Sequence, residues 1–237
     1  MHISNYIYYH VEQEFHGHLA YDDLEDAPRP AVLVVHDWSG RNEFACQKAE
    51  MLAKMGYLGF AVDMYGRGRL GETIDEKQAL MMPLINDRRL LRARIRAALD
   101  AIIAMPEVDN DRIAVMGFCF GGLCALDLAR SGAEIAGAIS FHGILNKPDE
   151  LAIHPIKAKI LALHGYDDPM VTPAQIKLFC QEMDEAGVDW QVHMYGHTQH
   201  AFTNPHAHDK TLGTIYNAVA ARRSLQAMTD FLEELFI

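Results

Sequence analysis

Arg112-Ile113-Ala114-Val115-Met116-Gly117-Phe118-Cys119-Phe120-Gly121-Gly122 runs from a short apolar stretch straight into a glycine-rich turn that carries a cysteine. The run Ile113 to Met116 shows no polar alternation, which marks a strand buried on both faces. Gly117 to Gly121 then fits G-x-nucleophile-x-G, a strand-to-helix junction that lifts a side chain on a strained backbone. Small residues two positions before and after Cys119 let strand and helix approach closely. A helix starting near Phe120 would aim its N–H groups and positive dipole end at the sulfur, favouring a thiolate and a developing oxyanion. The competing reading is a small core cysteine beside a Gly-rich turn, since cysteine is among the most buried residue types.

Outward from this junction the rhythm of buried strand and amphipathic helix repeats. Ala31 to Val35, Gly59 to Val62, Ile135 to Phe141, Lys159 to Leu163 and Trp190 to Tyr195 read as further strands. Glu43 to Met55, with Gly56 after its end, Arg88 to Met105 and Pro173 to Ala186, with Thr172 as N-cap, read as helices, and Leu212 to Phe236 contains the last one. Tyr6 to Tyr21 alternates around Glu12-Gln13 and predicts an antiparallel hairpin at a sheet edge. Strands alternating with helices predict an α/β class, with a mostly parallel central sheet and helices on both faces. No internal repeat or linker interrupts residues 1–237, so a single domain is expected. Tyr65 to Asp87 reads as the longest irregular stretch, a loop beside the site. The connection from Gly143 to Ala158 is too short for a cap domain.

A cysteine nucleophile needs a base and an orienting acid, in the chain order nucleophile, acid, base. After the strand ending at Leu163 comes His164-Gly165-Tyr166-Asp167-Asp168-Pro169, where an acid at a strand end can accept a hydrogen bond from a histidine Nδ1–H. Asp167 and Asp168 both qualify, and either could instead cap the next helix. After the last strand comes Tyr195-Gly196-His197-Thr198-Gln199-His200-Ala201-Phe202, and His197 and His200 compete as base. HxxH with His206 and His208 nearby raises a metal site, but the segment is a loop with Gly and Pro and offers no carboxylate at a ligand spacing, so none is expected.

The chain has 237 residues, a net charge of −11 and half of its residues hydrophobic. A diffuse acidic balance disfavours nucleic acid and anionic membrane as partners and does not steer anionic substrates inward. Cys46, Cys119, Cys124 and Cys180 form no CxxC pair and read as thiols of a reducing compartment. The N-terminus lacks the apolar core of a signal peptide, and no run approaches the roughly 20 apolar residues of a membrane helix. The expectation is a cytoplasmic protein, monomer or homodimer, that acts on a small molecule.

Five segments at strand ends together resemble the dienelactone hydrolase family of the α/β-hydrolase fold: His36-Asp37-Trp38-Ser39-Gly40, Asp63-Met64-Tyr65-Gly66, G-F-C-F-G-G from Gly117, H-G-Y-D-D-P-x-V from His164, and G-H-T-Q-H-A-F from Gly196. The resemblance runs from about Ala31 to the C-terminus. It implies Cys119 as nucleophile, Asp168 as orienting acid by the G-x-x-D-P-x-V phase, and His200 as base by its H-A-F context. It also implies an oxyanion hole from the backbone N–H groups of Trp38 and Phe120, and no cofactor. Two departures stand out. Members often carry Glu where Asp37 stands, a carboxylate thought to contact and help deprotonate the nucleophile; the shorter Asp37 would hold the thiol differently, or only bond its own loop. Members that take anionic dienelactones often have H-x-F-x-R, whereas here the run is His200-Ala201-Phe202-Thr203-Asn204. Without that arginine a substrate carboxylate loses a charge-assisted bond of about 1.5–3 kcal/mol; Arg67 and Arg69, after a strand end, either replace it in part at the pocket or are solvated loop charges.

The expected activity is therefore hydrolysis of neutral, apolar or aromatic esters or lactones through a thioester, in a pocket lined by Trp38, Met64, Tyr65, Phe118, Phe120 and Phe202, with His142 either at its rim or packed under the loop. Phosphotriester hydrolysis by the same groups is the alternative. A non-catalytic binder, or a redox sensor with Cys124 resolving Cys119, are the readings from other classes.

Overall fold

The structure, a computed structural model, describes residues 1–24, 27–148, 151–152 and 154–237. The elements in chain order are β1 (His2–His10), β2 (Gln13–Tyr21), β3 (Arg29–Val35), α1 (Glu43–Lys54), β4 (Leu58–Val62), α2 (Ile74–Asn86), α3 (Arg88–Ile103), β5 (Val108–Phe118), α4 (Phe120–Arg130), β6 (Gly137–Phe141), β7 (Lys159–Gly165), α5 (Pro173–Glu185), β8 (Trp190–Tyr195), β9 (His208–Asp209), β10 (Thr214–Ile215) and α6 (Ala218–Leu235). One sheet has the order β1-β2-β4-β3-β5-β6-β7-β8, and β9 and β10 form a separate ribbon. β1 with β2 and β2 with β4 are antiparallel, while β3 with β4, β6 with β7 and β7 with β8 are parallel. The chain forms two compact units, Met1–Met116 and Gly117–Ile237.

In the first unit, β3 and β4 are apolar because both of their faces are covered. A Cβ added at Gly59 would lie 2.7 Å from the Cα of Ala49, so α1 sits on that side. The next residue points the other way: Phe60 meets Tyr8 at 5.8 Å between ring centres, Tyr8 stacks on Phe15, and Arg94 of α3 lies over the Phe15 ring. Since neighbouring residues of a strand face opposite sides, α1 and α3 cover opposite faces. The β1–β2 hairpin begins at His2 rather than at Tyr6. Its solvent side carries Ile3 and Ile7, about half exposed, and apolar residues on both faces hide the alternation that announces a strand.

The stretch Tyr65 to Asp87, predicted irregular, contains the helix α2. Thr73 and Glu76 close it with reciprocal capping-box bonds, worth about 1 kcal/mol. The helix was illegible because Leu84 is its one buried residue and Pro83 breaks the pattern. A helix lying on a surface has little apolar face to reveal it.

In the second unit, a Cβ at Gly137 would touch Leu235 of α6 at 2.3 Å, whereas one at Gly122 of α4 would meet Ser140 Oγ at 2.5 Å. Gly137 and Ser140 are three apart on β6 and so face opposite sides, which puts α6 and α4 on opposite faces. α4 is buried along its whole length. Its one cation, Arg130, bonds Glu182 through Nε and Nη2, both at 2.8 Å, and the Leu145 carbonyl at 2.7 Å. The connection predicted to be short, 143 to 158, includes residues 149, 150 and 153, which lie outside the described residues. No helix among the described residues is long and apolar enough to cross a membrane.

Candidate active site

β5 ends at Phe118 and α4 begins at Phe120, so Cys119 alone makes the turn. Its backbone is left-handed, with φ 54° and ψ −114°, a conformation that costs of order 1–3 kcal/mol and persists only where the surroundings impose it. The imposing contacts are visible. Cys119 N–H donates to the Phe141 carbonyl at 3.0 Å. A Cβ at Gly117 would lie 2.0 Å from the Gly121 carbonyl oxygen, so the glycine two before the cysteine is a packing necessity. Cys119 is the N-cap of α4, but its side chain makes no capping hydrogen bond. The thiol is partly exposed, while Cys124 is buried.

Asp168 follows β7 by three residues and is fixed by its own turn. Its Oδ1 accepts the backbone N–H of Met170 at 2.8 Å and of Val171 at 3.2 Å. Its Oδ2 accepts Nδ1–H of His200 at 2.7 Å, with both side chains 0–1% exposed. His200 is held by backbone on both sides: its N–H donates to Gly213 O, and Ile215 N–H donates to His200 O, each at 3.0 Å. The β10 strand thus carries the loop that presents the imidazole. This separates the two histidines left open by spacing. His197 is fully exposed and lies 3.9 Å from the half-exposed Asp167, whereas His200 and Asp168 form the buried pair.

The electrostatics follow from that burial. Burial alone would lower the His200 pKa, yet the charge of Cys119, then the Asp168 hydrogen bond, push it up to about 10. Nε2 of His200 has no partner within hydrogen-bond geometry among the described residues, and the Cys119 sulfur raises the ring's pKa both by its charge and by its approach to the ring. Burial would raise the Asp168 carboxyl, but the approach of His164 and the bond from His200 hold it well below the usual carboxylate range. Such an arrangement can move a proton between a thiol and an imidazole whose orientation is fixed by a carboxylate.

Phe118, His142 and Phe202 pack around these groups, each 0–2% exposed. The His142 ring stands edge-on to His200 at 5.0 Å and to Phe202 at 5.2 Å, and its Nε2 is bonded to Thr203 Oγ1 at 2.8 Å. Burial first, then the charge on His200, holds His142 well below the ordinary histidine value. Neither Thr203 nor a partner for His142 was singled out in the sequence; a His-Thr pair 61 residues apart leaves no local signal. Among the described residues no group of three His, Cys, Asp or Glu side chains could hold a metal ion.

The remaining site candidates lie in the first unit. Asp37 Oδ1 accepts the Ser39 N–H at 2.8 Å, the loop bond allowed for above. The Tyr65 hydroxyl donates to the Trp38 carbonyl at 3.0 Å, and Lys77 Nζ lies over the Trp38 ring. Arg67 is exposed, and its N–H donates to Glu14 O. The loop that carries Tyr65 and Arg67 is organised by the buried Asp63, whose carboxylate accepts N–H groups from His16, Tyr65, Gly66 and Gly68 at 2.7–3.0 Å. His36 ties this loop to the Asp37 loop: its Nε2 accepts Met64 N–H, which leaves Nδ1–H to donate to Asp37 O. Asp63 and His36 were quoted as motif residues without a role, and their partners become visible only in three dimensions.

The whole chain resembles known proteins. The structure of m3DLH is 37% identical, with a TM-score of 0.94, and the match covers 100% of this chain and 99% of that one. P91, a dienelactone hydrolase-like promiscuous phosphotriesterase from metagenomic libraries, is 34% identical with a TM-score of 0.93, at 100% and 99% coverage. The carboxymethylenebutenolidase of Pseudomonas putida is 25% identical over 215 residues, 88% of this chain and 87% of its own. The fold is that of the α/β-hydrolases, and the chain is a hydrolase of the ester- and lactone-cleaving kind. The model of the dienelactone hydrolase family matches residues 15–236, and this chain belongs to that family.

Proposed function

We propose that the protein hydrolyses neutral, apolar or aromatic carboxylic esters or lactones through a thioester on Cys119. The observation that carries this reading is the buried 2.7 Å bond from His200 to Asp168, beside a cysteine raised on a left-handed turn. His200 takes the proton of the Cys119 thiol. The sulfur bonds to the substrate carbonyl carbon, and the resulting oxyanion rests against the amide of Phe120 at the positive end of α4. The ester C–O bond then breaks, and His200 returns its proton to the departing alkoxide. Water, deprotonated by His200, attacks the thioester; the C–S bond breaks and the thiol is restored. The roles of Trp38 as a second oxyanion donor and of Asp37 toward the thiol rest on the family pattern.

The preference for neutral substrates is supported by the absence of Lys or Arg between His200 and His208, and by Thr203 being engaged with His142. A small-molecule substrate requires no nucleic acid or membrane partner, and the acidic chain is expected to act in the cytoplasm. P91, at 34% identity over the whole chain, favours phosphotriester turnover as a second activity of the same thiolate.

The test is p-nitrophenyl butyrate hydrolysis by wild type and Cys119→Ala, with intact-mass detection of the butyryl adduct. The variant loses turnover and adduct together; turnover retained in Cys119→Ala refutes the reading. Diethyl p-nitrophenyl phosphate run in parallel measures the second activity.

A further inference from the structure

Asp168 faces more than one imidazole. Nε2 of His164 lies 3.2 Å from the same Oδ2 that accepts His200 Nδ1–H. His164 is the penultimate residue of β7, paired with Met194 of β8, and so is placed by the sheet rather than by a loop. The strand end is locked against the loop carrying His200: a Cβ at Gly165 would lie 2.4 Å from the Thr198 carbonyl oxygen. The His164 side chain is 1% exposed. Neither of its ring nitrogens has a partner that meets hydrogen-bond geometry, the 3.2 Å approach of Nε2 to Oδ2 included. A leucine would fill this space without desolvating two polar atoms. An imidazole kept here without a partner of its own points at the carboxylate beside it.

We propose that His164 is a positioning residue for Asp168, a second donor that closes onto the oxygen orienting His200 and shares its charge. This rests on the reading of Asp168 and His200 as acid and base. A carboxylate offers about four lone-pair sites. Met170 N–H, Val171 N–H and His200 Nδ1–H take three, and His164 faces the fourth. With that site filled, the carboxylate is pinned in rotation and stays ionised. Its pull on His200 is also divided, so His200 gives up its proton to the leaving alkoxide more readily. The depressed carboxyl of Asp168, with His164 foremost among the groups that lower it, is consistent with this role. The other titratable groups around the pair are His142, edge-on to His200, and Cys119 at the turn. Neither faces Oδ2 at bonding distance among the described contacts.

The experiment compares wild type, His164→Leu, His164→Gln and His164→Asn for p-nitrophenyl butyrate hydrolysis from pH 4 to pH 10.5, with the downfield proton NMR resonance of His200 Nδ1–H. Gln presents an amide donor at the reach of Nε2; Asn does not. His164→Leu should lower kcat roughly 10–100-fold, the scale of a misplaced catalytic group, with KM unchanged. The acid limb of its profile should move to higher pH, because a carboxylate with one donor fewer is protonated more easily. The downfield resonance should shift as the remaining bond strengthens. His164→Gln should restore rate and limb, and His164→Asn should behave like Leu. If His164→Leu does not fold, the contrast of Gln with Asn decides. An acid limb and resonance unchanged from wild type, or equal behaviour of Gln and Asn, overturns the proposal. Asp168→Asn serves as the separate control: full activity there refutes the acid assignment itself, whereas an inactive Asp168→Asn beside an unaltered His164→Leu refutes only the role of His164.

Discussion

Replacing Gly117 with alanine isolates what the close approach at the turn does. The added Cβ would lie 2.0 Å from the Gly121 carbonyl oxygen, 2.2 Å from its carbon and 2.8 Å from the Gly122 nitrogen. All three are backbone atoms at the start of α4, so no side chain can swing away. Ordinary contact begins near 3.4 Å. Relief therefore needs a movement of roughly 1 Å or more between the end of β5 and the start of α4, with Cys119 between them. Overpacking of this kind costs about 1–3 kcal/mol, which for a chain of this size lowers Tm by about 2–4 °C per kcal/mol. A displacement of about 1 Å at a catalytic group costs on the order of 100-fold in rate. Gly117→Ala should thus lose about two decades of kcat on p-nitrophenyl butyrate while its melting point falls by several degrees. Gly196→Ala is the control, since nothing lies within 4 Å of an added Cβ there and its backbone is not left-handed; it should match wild type in both measurements. A Gly117→Ala enzyme with wild-type kcat and melting point would refute the account of the turn as a packed, strained support for the thiol.

Two further outcomes follow from buried charges. The His200 pKa is raised from the ordinary 6.5 to about 10, so its contribution to stability is full below pH 6.5 and is lost as pH rises through about 10; urea unfolding of wild type against His200→Gln, from pH 6 to pH 10.5, should show the difference shrinking with pH. Glu182→Ala should destabilise by about 3 kcal/mol, read by urea unfolding, because it strips the two 2.8 Å bonds from a guanidinium that is 1% exposed and leaves it only Asp127 and carbonyls.

Some of the molecule is written locally. The central strands announce themselves as unbroken apolar runs because both faces are covered, and G-F-C-F-G-G announces the turn because only glycine tolerates the approach of two backbones. Spacing alone left Asp167 beside Asp168 and His197 beside His200, and it was the family resemblance, by the G-x-x-D-P-x-V phase and the H-A-F context, that favoured Asp168 and His200. Other elements left no such mark. α2 has one buried residue and a proline inside it; β1 carries apolar residues on its solvent face; β9 and β10, two residues each, are too short to show any period.

The sequence by itself determined the alternation of strand and helix, the turn that lifts Cys119, and a short list of acids and bases, because each depends on neighbours a few residues apart. Spacing left His197 and His200 in competition, and the tertiary structure leaves His197 in solvent and buries His200 on Asp168. It also brought His164 and His142 against that pair and gave Asp63 its four backbone donors. Those outcomes depend chiefly on contacts between residues 32 to 61 positions apart, and on desolvation, which sets the strength of every charge at the site and exists only once the chain has closed around it.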